Sequence, residues 1–143
     1  MKTALDIFDH SISLESVDDR KILELIEAIR KGLNFSVFTK LANISPFSSL
    51  EWSNYLHLSE RTMQRYKKEK KSFDSLQSER ILQIALLNKL GVEVFGSQQK
   101  YNHWLETDNL ALGRIKPKEL LDNSFGISLL KDELIRIEYG VLA

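Results

Sequence analysis

Apolar residues recur three and four positions apart along most of the chain, and no stretch alternates apolar with polar residues as a half-buried strand does. Ser16 and Asp19 resemble a capping box at the start of a first helix, which Gly32 ends. The predicted inward positions of this helix are Ile22, Leu25, Ile26 and Ile29. A second short helix ends before Pro46, because a residue that precedes proline is disfavoured in the α region. The pattern therefore predicts an all-α fold.

Two helices with a tight corner between them are predicted within residues 48–71. The first helix presents an apolar face made of Leu50, Trp52, Tyr55 and Leu56. His57 and Leu58 form the corner, and Ser59 caps the second helix. Met63 and Tyr66 point this second helix inwards. The arrangement is typical of a helix-turn-helix motif, whose second helix enters the major groove of DNA.

The outward faces of the second helix are strongly basic. Six lysines and arginines against two glutamates give residues 59–71 a net charge of +4, whereas the whole chain has a net charge of zero. A neutral protein that binds nucleic acid must concentrate its positive charge on one face. We therefore predict that Arg61, Thr62, Gln64 and Arg65 contact bases and inner phosphates, and that Lys67, Lys68, Lys70 and Lys71 contact phosphates. The alternative is an ordinary solvated helix face beside a basic loop.

A segment from about residue 75 to 90 is apolar around more than half of a helix, which predicts a central position in the molecule. We expect it to pack against the modules before and after it, so that the two share one core. Gly91 and Gly96 are predicted to bracket the turn that follows. Further on, Pro117 is predicted to begin a short helix. Gly126 is predicted to precede a last helix, which starts at Ile127 and ends at Gly140.

The predicted helices divide the chain into an N-terminal arm with the first helix (1–31), a helix-turn-helix module (32–74) and a C-terminal module (75–143). A chain of 143 residues, of which 43% are hydrophobic and 28% charged, suits two small globular modules. It contains no run of 18 uncharged apolar residues, no secretory signal and no cysteine. We therefore expect a cytoplasmic protein without a membrane span or disulfides.

No set of residues suited to catalysis or metal binding is found in the sequence. His10, His57 and His103 lie far apart, and none has a second histidine or a carboxylate at metal-ligand spacing. The chain also lacks a nucleophile elbow and a glycine-rich phosphate loop. We therefore expect a binding protein rather than an enzyme, with no metal, cofactor or small-molecule substrate.

From Gly32 to Ala143 the chain resembles the Xre/MbcA/ParS antitoxins. The first part of the resemblance is carried by Arg61-Thr62-Met63, Arg65 and Gln77-Ser78-Glu79-Arg80. The more specific C-terminal part comprises Phe95-Gly96, Trp104-Leu105, Leu112-Gly113, Pro117, Leu120-Leu121-Asp122, Gly126 and Arg136-Ile137-Glu138-Tyr139-Gly140-Val141. The chain departs from the family pattern at three positions, where relatives often have glycine, alanine and glycine: His57, Ser53 and Arg114.

The resemblance implies an antitoxin that neutralises a RES-domain toxin, a class of protein that acts on NAD and depletes it. The C-terminal module then covers the entrance of the toxin's active site. The residues implied in toxin binding are Arg136, Glu138, Tyr139, Gly140, Val141, Leu142 and Ala143, which place an apolar tail beside charged groups. The resemblance also implies a homodimer that represses its own operon by binding operator DNA. Two alternatives stay open, a stand-alone dimeric helix-turn-helix regulator and a tail that packs back onto its own module.

Overall fold

A computed structural model describes residues 19–140 as seven α-helices, with two short 3₁₀ turns before the last of them. The helices are α1 (Asp19–Lys31), α2 (Phe35–Ile44), α3 (Ser49–Leu56), α4 (Glu60–Glu69), α5 (Ser75–Phe95), α6 (Gln98–Glu106) and α7 (Ser124–Glu138), and the 3₁₀ turns are Leu110–Leu112 and Pro117–Leu120. The predicted all-α fold is confirmed. The predicted N-terminal arm and the cap at Ser16 lie outside the described residues.

Side-chain caps fix where the helices of the helix-turn-helix region begin. The Ser48 hydroxyl accepts a hydrogen bond from the Glu51 amide at 3.1 Å, and the Glu51 carboxylate accepts one from the Ser48 amide at 3.0 Å. Asp74 and Gln77 form the same reciprocal pair at the start of α5. Such boxes satisfy amides that would otherwise lack partners in the first turn. The starts of α3 and α5 are therefore encoded locally.

The longest helix, α5, lies at the centre of the fold and packs against α1, α3, α6 and α7. Its buried apolar side chains are Ile81, Leu82, Ile84, Leu87 and Leu90. Each such side chain contributes about 1.5–3 kcal/mol when fully buried. These residues belong to one cluster that contains Trp52 of α3 as well as Leu130 of α7. The expected central helix and shared core are therefore confirmed.

An aromatic cluster packs α2 and α3 together on the helix-turn-helix side of the core. The ring centroids of Phe38 and Trp52 lie 5.1 Å apart in an edge-to-face arrangement, and Phe47 meets Tyr55 in the same way at 5.1 Å. Edge-to-face pairs contribute about 0.5–1.5 kcal/mol beyond the area that they bury. Trp52, Tyr55 and Leu56 are buried as predicted.

Two apolar positions predicted to face inwards do not do so. Leu50 is 54% exposed. It lies two residues before Trp52, and a step of two residues leads almost to the opposite side of a helix. Ile22 is also exposed, whereas Leu25, about one turn further along α1, is buried. Spacing alone identified the buried side of each helix without fixing how far it extends.

Gly91 lies inside α5, so the prediction that it borders a turn is wrong. The helix continues to Phe95 and ends at Gly96, which has a φ of 85°. Gly91 is buried, and a Cβ built on it would overlap the ring of Tyr101 in α6. A glycine is present here because α6 crosses close to the backbone of α5.

Gly126 was likewise predicted to precede the last helix, but α7 already begins at Ser124. The Asn123 side chain caps this helix by accepting a hydrogen bond from the Gly126 amide at 2.7 Å. A Cβ on Gly126 would overlap the carbonyl oxygen of Leu120. Gly126 therefore permits the first turn of α7 to lie against the 3₁₀ turn before it.

We expect Gly91→Ala to lower the free energy of unfolding by about 1–3 kcal/mol, because overlap with the Tyr101 ring forces α5 and α6 apart. This loss occurs although alanine is favoured over glycine inside a helix by about 1 kcal/mol. Urea unfolding measures the difference. Glu79→Ala, on an exposed position of the same helix, is the control and changes stability by less than about 0.5 kcal/mol. A Gly91→Ala variant as stable as the parent would contradict the close approach.

Candidate DNA-binding and toxin-binding surfaces

The corner of the helix-turn-helix is His57, which ends α3 in a left-handed conformation with φ 56° and ψ 40°. The amide of Leu58 donates to the carbonyl of Ser53 at 2.9 Å, so the chain turns sharply after α3. A left-handed conformation costs a residue with a side chain roughly 1–2 kcal/mol. His57 thus occupies this corner at some cost in backbone strain.

The orientation of α4 about its own axis follows from its cap and its two inward side chains. Ser59 accepts a hydrogen bond from the amide of Thr62 at 3.0 Å, which fixes the first turn. Met63 is buried, and the ring centroid of Tyr66 lies 5.6 Å from that of Phe73. The predicted inward positions of α4 are therefore confirmed, and the remaining side chains of this helix, apart from the half-buried Thr62, are exposed.

Most of the predicted DNA contacts are exposed together on and just after α4. We call the following residues the basic face: Arg61, Gln64, Arg65, Lys67, Lys68, Lys70 and Lys71, all of which are exposed. Thr62 differs, because it is half-buried and its hydroxyl oxygen accepts a hydrogen bond from Ser59 at 2.9 Å. The geometry thus keeps seven of the eight side chains accessible to a ligand.

The basic face continues past the end of α4 because the chain curls back over Tyr66. Lys70 is left-handed with a φ of 54°, and the Lys71 amide donates to the Tyr66 carbonyl at 3.0 Å. The cationic groups of Arg65 and Lys71 lie 5.9 Å and 5.6 Å from the centroid of the Tyr66 ring. Cation–π contacts at exposed sites contribute about 0.5–1 kcal/mol each. They hold two positive charges beside one aromatic ring.

The predicted toxin-binding residues lie at the end of α7. Arg136, Glu138, Tyr139 and Gly140 are all exposed, and Tyr139 keeps 62% of its surface accessible. Arg136 forms an ion pair with Glu133, one turn earlier, at 3.2 Å. The remaining members of the set, Val141, Leu142 and Ala143, lie outside the described residues. The described members offer charged and aromatic groups at the C-terminal end of α7.

An exposed row of side chains leads to this end along α7. Its members are four, three, four and three residues apart, and we call them the α7 stripe: Phe125, Leu129, Asp132, Arg136 and Tyr139. The row lies opposite the buried residues Leu130 and Leu134. Phe125 is 91% exposed. Neither Phe125 nor Leu129 was predicted to bind a partner, although apolar residues on the otherwise polar side of an amphipathic helix are the signal that reveals them.

The described part of the chain offers no metal centre. No group of three or more histidine, aspartate and glutamate side chains within residues 19–140 could hold a metal ion. None of the seven helices is long and apolar enough to cross a membrane. What the described surface does offer is the basic face and the α7 stripe.

Comparisons with known families agree with this division into two surfaces. The family model described as the antitoxin Xre-like helix-turn-helix domain matches residues 24–86, which include α3, α4 and the basic face. The model described as the antitoxin Xre/MbcA/ParS C-terminal toxin-binding domain matches residues 90–140, which include α6 and α7. No curated protein matches the chain. The chain belongs to the Xre/MbcA/ParS antitoxin family, with an Xre-like helix-turn-helix domain followed by a toxin-binding domain.

Proposed function

We propose that this antitoxin neutralises a RES-domain toxin that depletes NAD, and that it represses its own operon by binding operator DNA. One observation carries the proposal, namely that a single chain exposes the basic face in its helix-turn-helix domain and the α7 stripe in its toxin-binding domain. The antitoxin acts in the cytoplasm as a homodimer, and it has no catalytic activity or cofactor of its own.

The DNA half of the proposal rests on the chemistry of the basic face. Arginine donates two parallel hydrogen bonds to the O6 and N7 atoms of guanine, which suits Arg61 and Arg65 to reading bases. The lysines at the end of α4 suit phosphates, because an ammonium group on a flexible stem contacts a phosphate without sequence preference. One helix-turn-helix covers one half-site. A homodimer therefore places two α4 helices about 34 Å apart on a palindromic operator.

The toxin half rests on the α7 stripe and on the residues that follow it. Aromatic and arginine side chains are the groups that most often dominate the energy of protein interfaces. Phe125 and Tyr139 lie near the two ends of the stripe, and Arg136 lies between them. In the proposed complex the stripe lies on the toxin, and the tail from Gly140 to Ala143 enters the active site. A stand-alone regulator would need neither the α7 stripe nor the tail.

Arg65→Glu tests the DNA half. We expect the variant to bind a duplex from the promoter of its own operon at least about tenfold more weakly, because a base or phosphate contact becomes a repulsion. Fluorescence anisotropy at fixed salt measures the affinity. Neutralisation of the co-expressed toxin stays intact. Lys100→Glu, which reverses an exposed charge on α6, is the control. Unchanged DNA binding in Arg65→Glu, or the loss of both activities together, would contradict the assignment.

Removal of residues 139–143 tests the toxin half. We expect the shortened antitoxin to bind promoter DNA normally and to lose neutralisation, because Tyr139 and the tail no longer reach the active site. Growth of cells that co-express the neighbouring RES-type toxin is the measurement. Full rescue of growth by the shortened antitoxin would contradict the proposal that the tail blocks the toxin's active site. Failure of the full-length chain to co-purify with that toxin would leave the stand-alone regulator as the better reading.

Phe125→Ser tests whether the α7 stripe itself lies on the toxin. We expect its affinity for the toxin to fall about tenfold, since truncating an aromatic anchor at an interface costs on the order of 1–2 kcal/mol. Isothermal titration calorimetry measures the affinity. The matched control is Leu110→Ser, which changes another exposed apolar residue of the same domain away from α7. Equal affinities for the two variants would place the toxin on another surface.

A further inference from the structure

The recognition helix α4 takes its position from α3. Of the other helices, α4 packs most closely against α3, the helix that precedes it across the His57 corner. The basic face can enter a groove in one register only if the axis of α4 is held at a fixed angle. Whatever holds α3 therefore also influences the angle of α4, in addition to the core contacts of Met63 and Tyr66.

Both ends of α3 are fastened to residues 117–123 of the toxin-binding domain, which we call the 117–123 segment. At the first turn of α3, the Glu51 carboxylate lies 3.0 Å from the ammonium of Lys118. At the corner, the His57 Nε2 atom lies 2.9 Å from the backbone carbonyl oxygen of Asp122. The two contacts lie at opposite ends of the same eight-residue helix.

Lys118 also pairs with Glu106 of α6 at 2.7 Å, so one ammonium bridges two carboxylates. The hydrogen bonds to Glu106 and Glu51 raise the pKa of Lys118. The pKa of Glu51 lies below its ordinary value, because the bonds from Ser48 and Lys118 outweigh the opposing effect of partial burial. Without Lys118, two carboxylates would face each other at the junction of the domains. The loss of this single cation therefore turns an attraction into a repulsion.

At this strained corner the His57 side chain forms a hydrogen bond with the backbone of Asp122. A carbonyl oxygen can only accept a hydrogen bond, so the Nε2 atom of His57 carries the proton. Glycine would adopt the left-handed conformation without strain but has no side chain to reach Asp122. The hydrogen bond thus adds a tie that a glycine corner does not provide.

We propose that Lys118 and His57 are positioning residues for DNA recognition, because they fix both ends of α3 to the 117–123 segment and thereby set the angle of α4. The proposal rests on the proposed binding of operator DNA by the basic face. It assigns to the toxin-binding domain a part in reading DNA. Neither residue belongs to the basic face itself.

A loosened α3 affects specific and non-specific DNA binding differently. Base contacts require α4 to lie in one register, whereas phosphate contacts by flexible lysines tolerate a range of angles. The ratio of specific to non-specific affinity is therefore the property that depends on positioning. A general loss of folded protein would lower both affinities in proportion.

Lys118→Met is the first test. Affinity is measured at one salt concentration for a duplex from the antitoxin's own promoter and for an unrelated duplex of the same length. We expect the promoter affinity to fall about tenfold and the unrelated affinity to change less than about twofold. Lys118→Arg keeps the bridge and restores promoter binding. Lys100→Met removes the same charge from exposed α6 and leaves both affinities unchanged. Equal loss for the two duplexes, or no loss, would overturn the proposal.

His57→Gly is the second test, chosen because it relieves backbone strain and is expected to fold at least as well as the parent. Thermal unfolding checks that stability is retained, and promoter affinity still falls several-fold in the absence of the tie to Asp122. Hydrogen exchange of the α3 and α4 amides becomes faster, while exchange in α5 does not. Unaltered promoter binding by His57→Gly would show that the tie does not position α4. Arg65→Glu in the same assay shows separately whether the basic face binds DNA at all.

Discussion

The burial of α5 on almost every side is the constraint on which the rest of the structure depends. A helix with so little exposed surface cannot belong to one domain only, because each domain alone would leave part of its apolar surface in water. The two family matches end and begin within this helix, at residues 86 and 90. The two domains recognised in the sequence therefore share one hydrophobic core, and both pack against α5.

Local chemistry accounts for the parts of the fold that could be predicted. Caps at Ser59 and Asp74 act within three residues, and the basic character of residues 59–71 is a property of composition. Gly91 shows where this reasoning stops. A glycine that borders a turn and one that admits a neighbouring aromatic ring look alike until the neighbour is known. The prediction attributed Gly91 to a turn, which needs a flexible backbone, whereas the glycine is there because the Tyr101 ring leaves no space for a side chain.

The same limit applies to the functional surfaces. The basic face could be read from a single stretch, because all its members lie on one helix or on the two residues that follow its last residue. The tie between His57 and Asp122 joins residues 65 positions apart, and no periodic pattern signals it. Lys118 and Glu51 are equally ordinary in the sequence, as one lysine and one glutamate among 20 bases and 20 acids. Their importance arises only from the packing of α3 against the second domain.

The bridge from Lys118 to both Glu51 and Glu106 has a consequence for how such antitoxins can diverge. An exchange of helix-turn-helix domains between relatives, with the crossover inside α5, would separate Glu51 from the lysine and the second carboxylate that it meets in this chain. A hybrid could then inherit two carboxylates without a cation, or a cation without its carboxylate. In the proposed mechanism this bridge therefore couples operator preference to the toxin-binding domain, even though separate surfaces contact DNA and toxin.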